Sequence, residues 1–149
     1  IIGGGDIFMK RLLPIFKTSF FVPLFGDGST KFQPVFIDDV SLAVDEIINT
    51  KIKGKNIYEL AGPRIYSYKE FFNYIADFLN KTRVLVPVPM AFMKPMINIA
   101  EKTPISPLTS EQLTLFEIDN LAINVDKSFQ NLDINPQDTL QILKNIVVN

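Results

Sequence analysis

Apolar residues recur along this chain with two different periods. Phe8, Leu12, Ile15 and Phe16 share one face of a helix running from Ile7 to about Phe16, with Asp6 placed to cap it. Pro14 is expected to kink that helix or end it early. Phe20 to Phe25 reads as a strand, and Pro23 within it marks an edge. Gly26-Asp27-Gly28-Ser29 forms a turn, and Lys31 to Ile37 reads as a second strand. Asp38 or Asp39 then caps a helix carrying Val40, Ala43, Val44, Ile47 and Ile48, and Gly54 closes the unit.

Asn56 to Ala61 reads as a short strand ending at Gly62-Pro63. Ser67-Tyr68-Lys69-Glu70 is a capping box. The Ser oxygen takes a first-turn N–H, and the Glu carboxylate reaches back to the Ser N–H. The helix behind it buries Phe71, Phe72, Ile75, Phe78 and Leu79. Arg83 to Val88 is a further strand. Met90 to Lys102 is helical and apolar on more than one side, with Pro95 inside it. Ser106 to Thr109 is a linker. Thr109-Ser110-Glu111-Gln112 offers a second capping box for a helix to about Glu117. A short helix near Asp126 to Asn131 and a final helix from Gln137 to Val147 complete the order. Strands separated by helices predict an α/β fold with a small mixed or parallel sheet and several helices.

The opening Ile1-Ile2-Gly3-Gly4-Gly5-Asp6 reads as the end of a strand entering a loop, which predicts a preceding segment with partner strands. Composition narrows the chemistry. The 149 residues are 47% hydrophobic with net charge -1, enough for one globular unit and without a field that would attract nucleic acid or an anionic membrane. Cysteine and histidine are both absent. Disulfides and histidine-activated nucleophiles are therefore excluded within the chain, and zinc or haem ligation is disfavoured. The reading gives no metal site and no catalytic residue. The apolar stretch from Val84 to Ala100 is too short and too proline-broken to span a membrane. Its Met90–Ala100 part is expected to expose an apolar face in addition to packing the core.

Several landmarks in order resemble the C-terminal half of the extended and atypical short-chain dehydrogenase/reductases. Ile1 to Phe8 looks like the family's strand, glycine and Asp-x-Phe turn beside the nicotinamide. Phe32-Gln33-Pro34-Val35-Phe36-Ile37-Asp38-Asp39-Val40 looks like the strand entering its Asp-Val helix. Tyr58-Glu59-Leu60-Ala61-Gly62-Pro63 with Tyr66-Ser67-Tyr68-Lys69-Glu70, Leu108-Thr109-Ser110-Glu111-Gln112, Asp119-Asn120 and Leu132-Asp133-Ile134-Asn135-Pro136 follow in the family's order. Asp133 stands where Gly is usual. Gln33-Pro34-Val35 and Gly62-Pro63 favour the branch related to the nucleotide-binding accessory subunit of respiratory complex I.

This resemblance implies the C-terminal part of an NAD(P)-binding Rossmann-like protein. It places Ile2, Gly3 and Gly4 beside the cofactor and Asp6, Phe8, Arg11, Phe32 and Gln33 around the substrate pocket. The cofactor is NAD or NADP in a full-length protein. None is expected to bind the chain alone, because neither a glycine-rich phosphate loop nor a Tyr-x-x-x-Lys pair is present. Phe32 occupies the position where sugar-nucleotide enzymes of the family carry a diphosphate-clamping Arg, which disfavours such substrates. The implied partners are an N-terminal nucleotide-binding lobe and a protein, or a second copy, over the Met90–Ala100 helix. Nucleic acid is not among them, and membrane contact is at most peripheral. The expected setting is cytoplasmic, or membrane-associated through a complex. Two other readings stay open: an active oxidoreductase or epimerase on a small apolar or quinone-like substrate, and a pure interaction module.

Overall fold

The computed structural model describes residues 1–50, 54–101, 110–123 and 127–147. Its elements are α1 (Ile7–Thr18), β1 (Phe21–Phe25), β2 (Lys31–Phe32), α2 (Ile37–Asn49), β3 (Tyr66–Ser67), α3 (Tyr68–Phe78), β4 (Val84–Val88), α4 (Met90–Ala100), α5 (Ser110–Thr114), a 3₁₀ turn (Phe129–Leu132) and α6 (Thr139–Val147). β1 and β4 pair in parallel from Phe21 opposite Val84 to Phe25 opposite Val88. β2 and β3 form a short antiparallel pair. The architecture is thus α/β with a small mixed set of strands, as the alternating periods predict.

Asp6 caps α1, its carboxylate accepting from the Met9 N–H at 3.0 Å. Pro14 does not end the helix, which continues to Thr18. Pro14 lies on the solvent face with Lys10 and Arg11. The Lys10 carbonyl, deprived of its usual donor, is therefore left to water rather than buried. Met9, Leu12 and Phe16 pack inward, and Phe16 meets Phe72 of α3 edge-on at 5.4 Å.

The predicted second strand is shorter than expected. Only Lys31–Phe32 pairs as a strand, because Pro34 has no N–H to donate and Ile37 already begins α2. Neither Asp38 nor Asp39 caps α2. Phe36 is the N-cap residue and makes no side-chain bond. Asp39 instead points inward, where it accepts from the backbone N–H of Gln137 at 2.8 Å and from its side-chain amide at 3.2 Å. On α2, Ala43 is buried and Val40 and Ile47 are partly so, whereas Val44 and Ile48 are exposed. The buried stripe is narrower than the apolar one. Asn56–Ala61 forms no strand either. Among the described residues, the Glu59 N–H bonds across to the Lys127 carbonyl at 2.9 Å.

The capping box of α3 has the predicted form: the Glu70 N–H donates to Ser67 Oγ, and the Ser67 N–H donates to the Glu70 carboxylate at 2.8 Å. Phe71, Phe72 and Ile75 are fully buried, and Phe78 and Leu79 pack partly against the same core. That core joins α1, β1, α3, α4, α5 and α6. A smaller one gathers Val35, Ala43, Phe129 and Leu132. The predicted Ser106–Thr109 linker, Thr109 of the second capping box and the Asp126 start of the short helix lie outside the described residues. Within them, the short helix is the 3₁₀ turn from Phe129, and the last helix begins at Thr139 rather than Gln137. No described helix is long and apolar enough to cross a membrane.

Candidate functional site

Three non-contiguous segments meet next to Ile2. The Ile2 N–H donates to the Val35 carbonyl at 2.8 Å, and the Ile37 N–H donates back to the Ile2 carbonyl at 2.9 Å. This is one parallel bridge between the opening residues and the run into α2. On the other side of β2, Asn120 pairs with it. The Asn120 N–H donates to the Lys31 carbonyl at 2.8 Å, and the Gln33 N–H donates to the Asn120 carbonyl at 3.1 Å. The Asp119 carboxylate fixes the approach by accepting from the Lys31 N–H at 2.8 Å.

Between these segments opens a cleft of about 500 Å3. It brings together five of the eight residues the sequence singled out: Ile2, Asp6, Phe8, Phe32 and Gln33. Arg11 is not among its walls: two residues beyond the buried Met9, it falls on the opposite, solvent face of α1. Gly3 and Gly4 are not either. Gly3 packs against the start of α2, where a Cβ would meet Ile37 Cγ2 at 2.3 Å. Gly4 faces open space.

The apolar wall is aromatic. Phe32 stacks on Tyr68 with centroids 4.5 Å apart and planes 13° from parallel. Tyr68 leans on Phe116 at 4.3 Å, and Phe116 meets Phe8 at 6.1 Å. Sequence reasoning missed Tyr68 and Phe116 as wall residues. Tyr68 falls within the capping box, and Phe116 falls near the end of the helix expected to about Glu117, where nothing in the sequence marks it as facing a site. Burial pushes the Tyr68 hydroxyl up to about 12, so it stays protonated at neutral pH and is no general base.

The polar wall is Gln33. Its side-chain amide donates to the Gly62 carbonyl at 2.7 Å and accepts from the Ala122 N–H at 3.3 Å. Gln33 therefore ties three segments together, and a further cleft of about 530 Å3 opens behind it. Two carboxylates reach the first cleft. Asp6 is engaged as the α1 cap, and Glu59 accepts from the Ile123 N–H at 2.7 Å. No Lys or Arg side chain among the described residues lines it. An anionic diphosphate would find no forked cation there.

The fold is similar to that of part of two reductases of known structure. The chain superposes over 99% of its length, with a TM-score of 0.61 and 13% identity, on 44% of a dTDP-4-dehydrorhamnose reductase from Bacillus anthracis solved in complex with NADP. It also matches 48% of a triphenylmethane reductase from Citrobacter, with a TM-score of 0.66 and 14% identity. No family model matches. In sequence the chain is related to subunits of NADH dehydrogenase. It is 29% identical, over 91% of its length and 36% of the relative's, to NADH dehydrogenase (ubiquinone) 1 alpha subcomplex subunit 9, mitochondrial, of Arabidopsis thaliana. It is 28% identical, over 72% of its length and 29% of the relative's, to the mitochondrial NADH-ubiquinone oxidoreductase 40 kDa subunit of Neurospora crassa. The chain spans about a third of the length of these relatives. They are named as mitochondrial subunits of an assembly.

Proposed function

We propose that this chain is the C-terminal, substrate-side lobe of an NAD(P)-binding protein of the complex I accessory type, closing over the nicotinamide end of a dinucleotide held elsewhere. The observation that carries this reading is the cleft itself. It gathers Ile2, Asp6, Phe8, Phe32 and Gln33, five of the eight residues that the family likeness puts beside nicotinamide and substrate. In this role Ile2 borders the ring, Asp6 holds the rim of α1 in place, and Phe8 and Phe32 supply a flat apolar wall. Gln33 holds the wall rigid. Hydride chemistry belongs to the cofactor. The chain contributes shape and exclusion of water, and the nucleotide serves structure rather than turnover.

The preferred setting is peripheral, within an NADH dehydrogenase assembly. The outer face of α4 is assigned to contact with a neighbouring protein or a second copy. The aromatic lining favours one other reading, an oxidoreductase acting on a small apolar or quinone-like ring.

Titration of the chain with NADPH and with UDP-glucose tests the assignment. Neither is expected to give a saturable micromolar signal, the first for want of a phosphate loop and the second for want of a clamping cation. A one-to-one isotherm with NADPH would overturn the lobe reading, and one with UDP-glucose would overturn the substrate argument. Turnover of a quinone analogue by the natural protein carrying this chain would decide for the oxidoreductase.

A further inference from the structure

Phe8 is shared by two cavities. On its far side, between α1, β1, β4 and α4, lies a space of about 210 Å3 whose lining side chains, among the described residues, contain neither nitrogen nor oxygen. Leu12, Val22, Phe25, Met93 and Ile97 form its inner part and are all buried. Pro23 and Met96, which also line it, are exposed. The cavity therefore has a buried end and an open end.

We infer that this cavity is a binding site for the hydrocarbon chain of a single amphiphile, entered tail first between Pro23 and Met96 with the head group left outside. Native interiors carry few voids larger than a water molecule, so a space of this size calls for an occupant. Water is a poor one, since a bound water needs two to four polar partners and the lining side chains offer none. An apolar cavity of about 150 Å3 stays dry and takes up benzene, and the present one is larger. Two of its walls are methionines, whose unbranched, polarizable side chains adapt to a flexible chain. The absence of any polar side chain inside means that no head group is recognised there. Affinity should follow chain length and ignore the charge of the head.

This site is separate from the proposed nicotinamide cleft and stands or falls independently of it. The test is fluorescence titration of the chain with N-decyl dansylamide, whose dansyl head leaves a free decyl tail, followed by competition. One probe per protein is expected, displaced alike by decanoate and by decyl maltoside, and not by butyrate. Ala100→Trp at the open end and Met93→Phe at the buried end should each weaken binding on the order of tenfold or more, by removing the space the chain fills. Leu42→Ser with Val44→Ser, which strips exposed apolar groups from α2 away from the cavity, should leave it unchanged. Circular dichroism establishes that each variant is folded, and the wild-type competition series stands without them. The inference is overturned by absence of saturable binding, by many probes per protein, or by folded variants that bind as wild type does. Binding to phosphatidylcholine vesicles without binding of the monomeric amphiphiles would overturn it too, because the occupant would then be a membrane surface.

Discussion

At the scale of single residues, the positions that matter most are those whose partners lie far away in sequence. Asp39 is one. An Asp at a strand-to-helix junction reads as a cap, yet this carboxylate is buried and spends both oxygens on Gln137, 98 residues distant. Asp39→Ala should cost about 2 to 3 kcal/mol, because it orphans a buried backbone N–H as well as removing charge-assisted bonds. Asp39→Asn, which keeps one acceptor, should cost less. Urea unfolding with an unchanged m-value reads both, and an Asp39→Ala midpoint equal to wild type would mean that the contact holds nothing together. Gly62 is another such position. A Cβ there would lie 1.9 Å from the Pro34 carbonyl oxygen, so the Gly-Pro pair reflects a close backbone approach across the site. The sequence marks Gly62 as a strand end and shows nothing of Pro34 beside it.

Single elements were legible where their cause is local. The capping box before α3 needs only four residues, and it appears as read. Ser67→Ala should destabilise the chain by about 1 kcal/mol. The Ser67 backbone and hydroxyl hold the Glu70 pKa below its ordinary 4.5. A depressed carboxylate contributes stability that is present above its unfolded pKa and lost as pH falls through the folded one. The gap between wild type and Ser67→Ala should therefore narrow as pH falls through the lowered Glu70 value, by a small amount because Glu70 is exposed to solvent and the Ser67 backbone bond remains. A gap that stays constant with pH would contradict the bond from the Ser67 hydroxyl to the Glu70 carboxylate. Elements whose extent depends on partners were less legible. β2 stops early for want of a donor at Pro34, and Asn56–Ala61 has no ladder to join. On α4 the period was clear and the phase was not. Met93 and Ile97 are buried, while Phe92, Met96 and Ile99 form the exposed stripe. Met93→Glu should accordingly cost at least about 3 kcal/mol. Phe92→Glu with Met96→Glu should stay folded and sediment as a monomer beside a self-associating wild type. A double variant that unfolds would place the stripe in the core instead.

For the molecule as a whole, the alternation of periods was enough for an α/β architecture, and the order of landmarks was enough for the reductase likeness. The cleft was half legible. Ile2, Asp6, Phe8, Phe32 and Gln33 carry their signal in short motifs, whereas Tyr68, Phe116 and Asn120 reach the same wall only through tertiary packing. Arg11 shows the limit from the other side. Its chemistry suited a ligand, but helix phase turned it to solvent. The central claim is that this cleft closes over nicotinamide. Hydrogen exchange on the natural protein that carries the chain, with and without NADPH, tests it most directly. The account predicts new protection confined to residues 1–8, 32–36 and 59–62. NADPH binding that leaves those amides exchanging as before would contradict it.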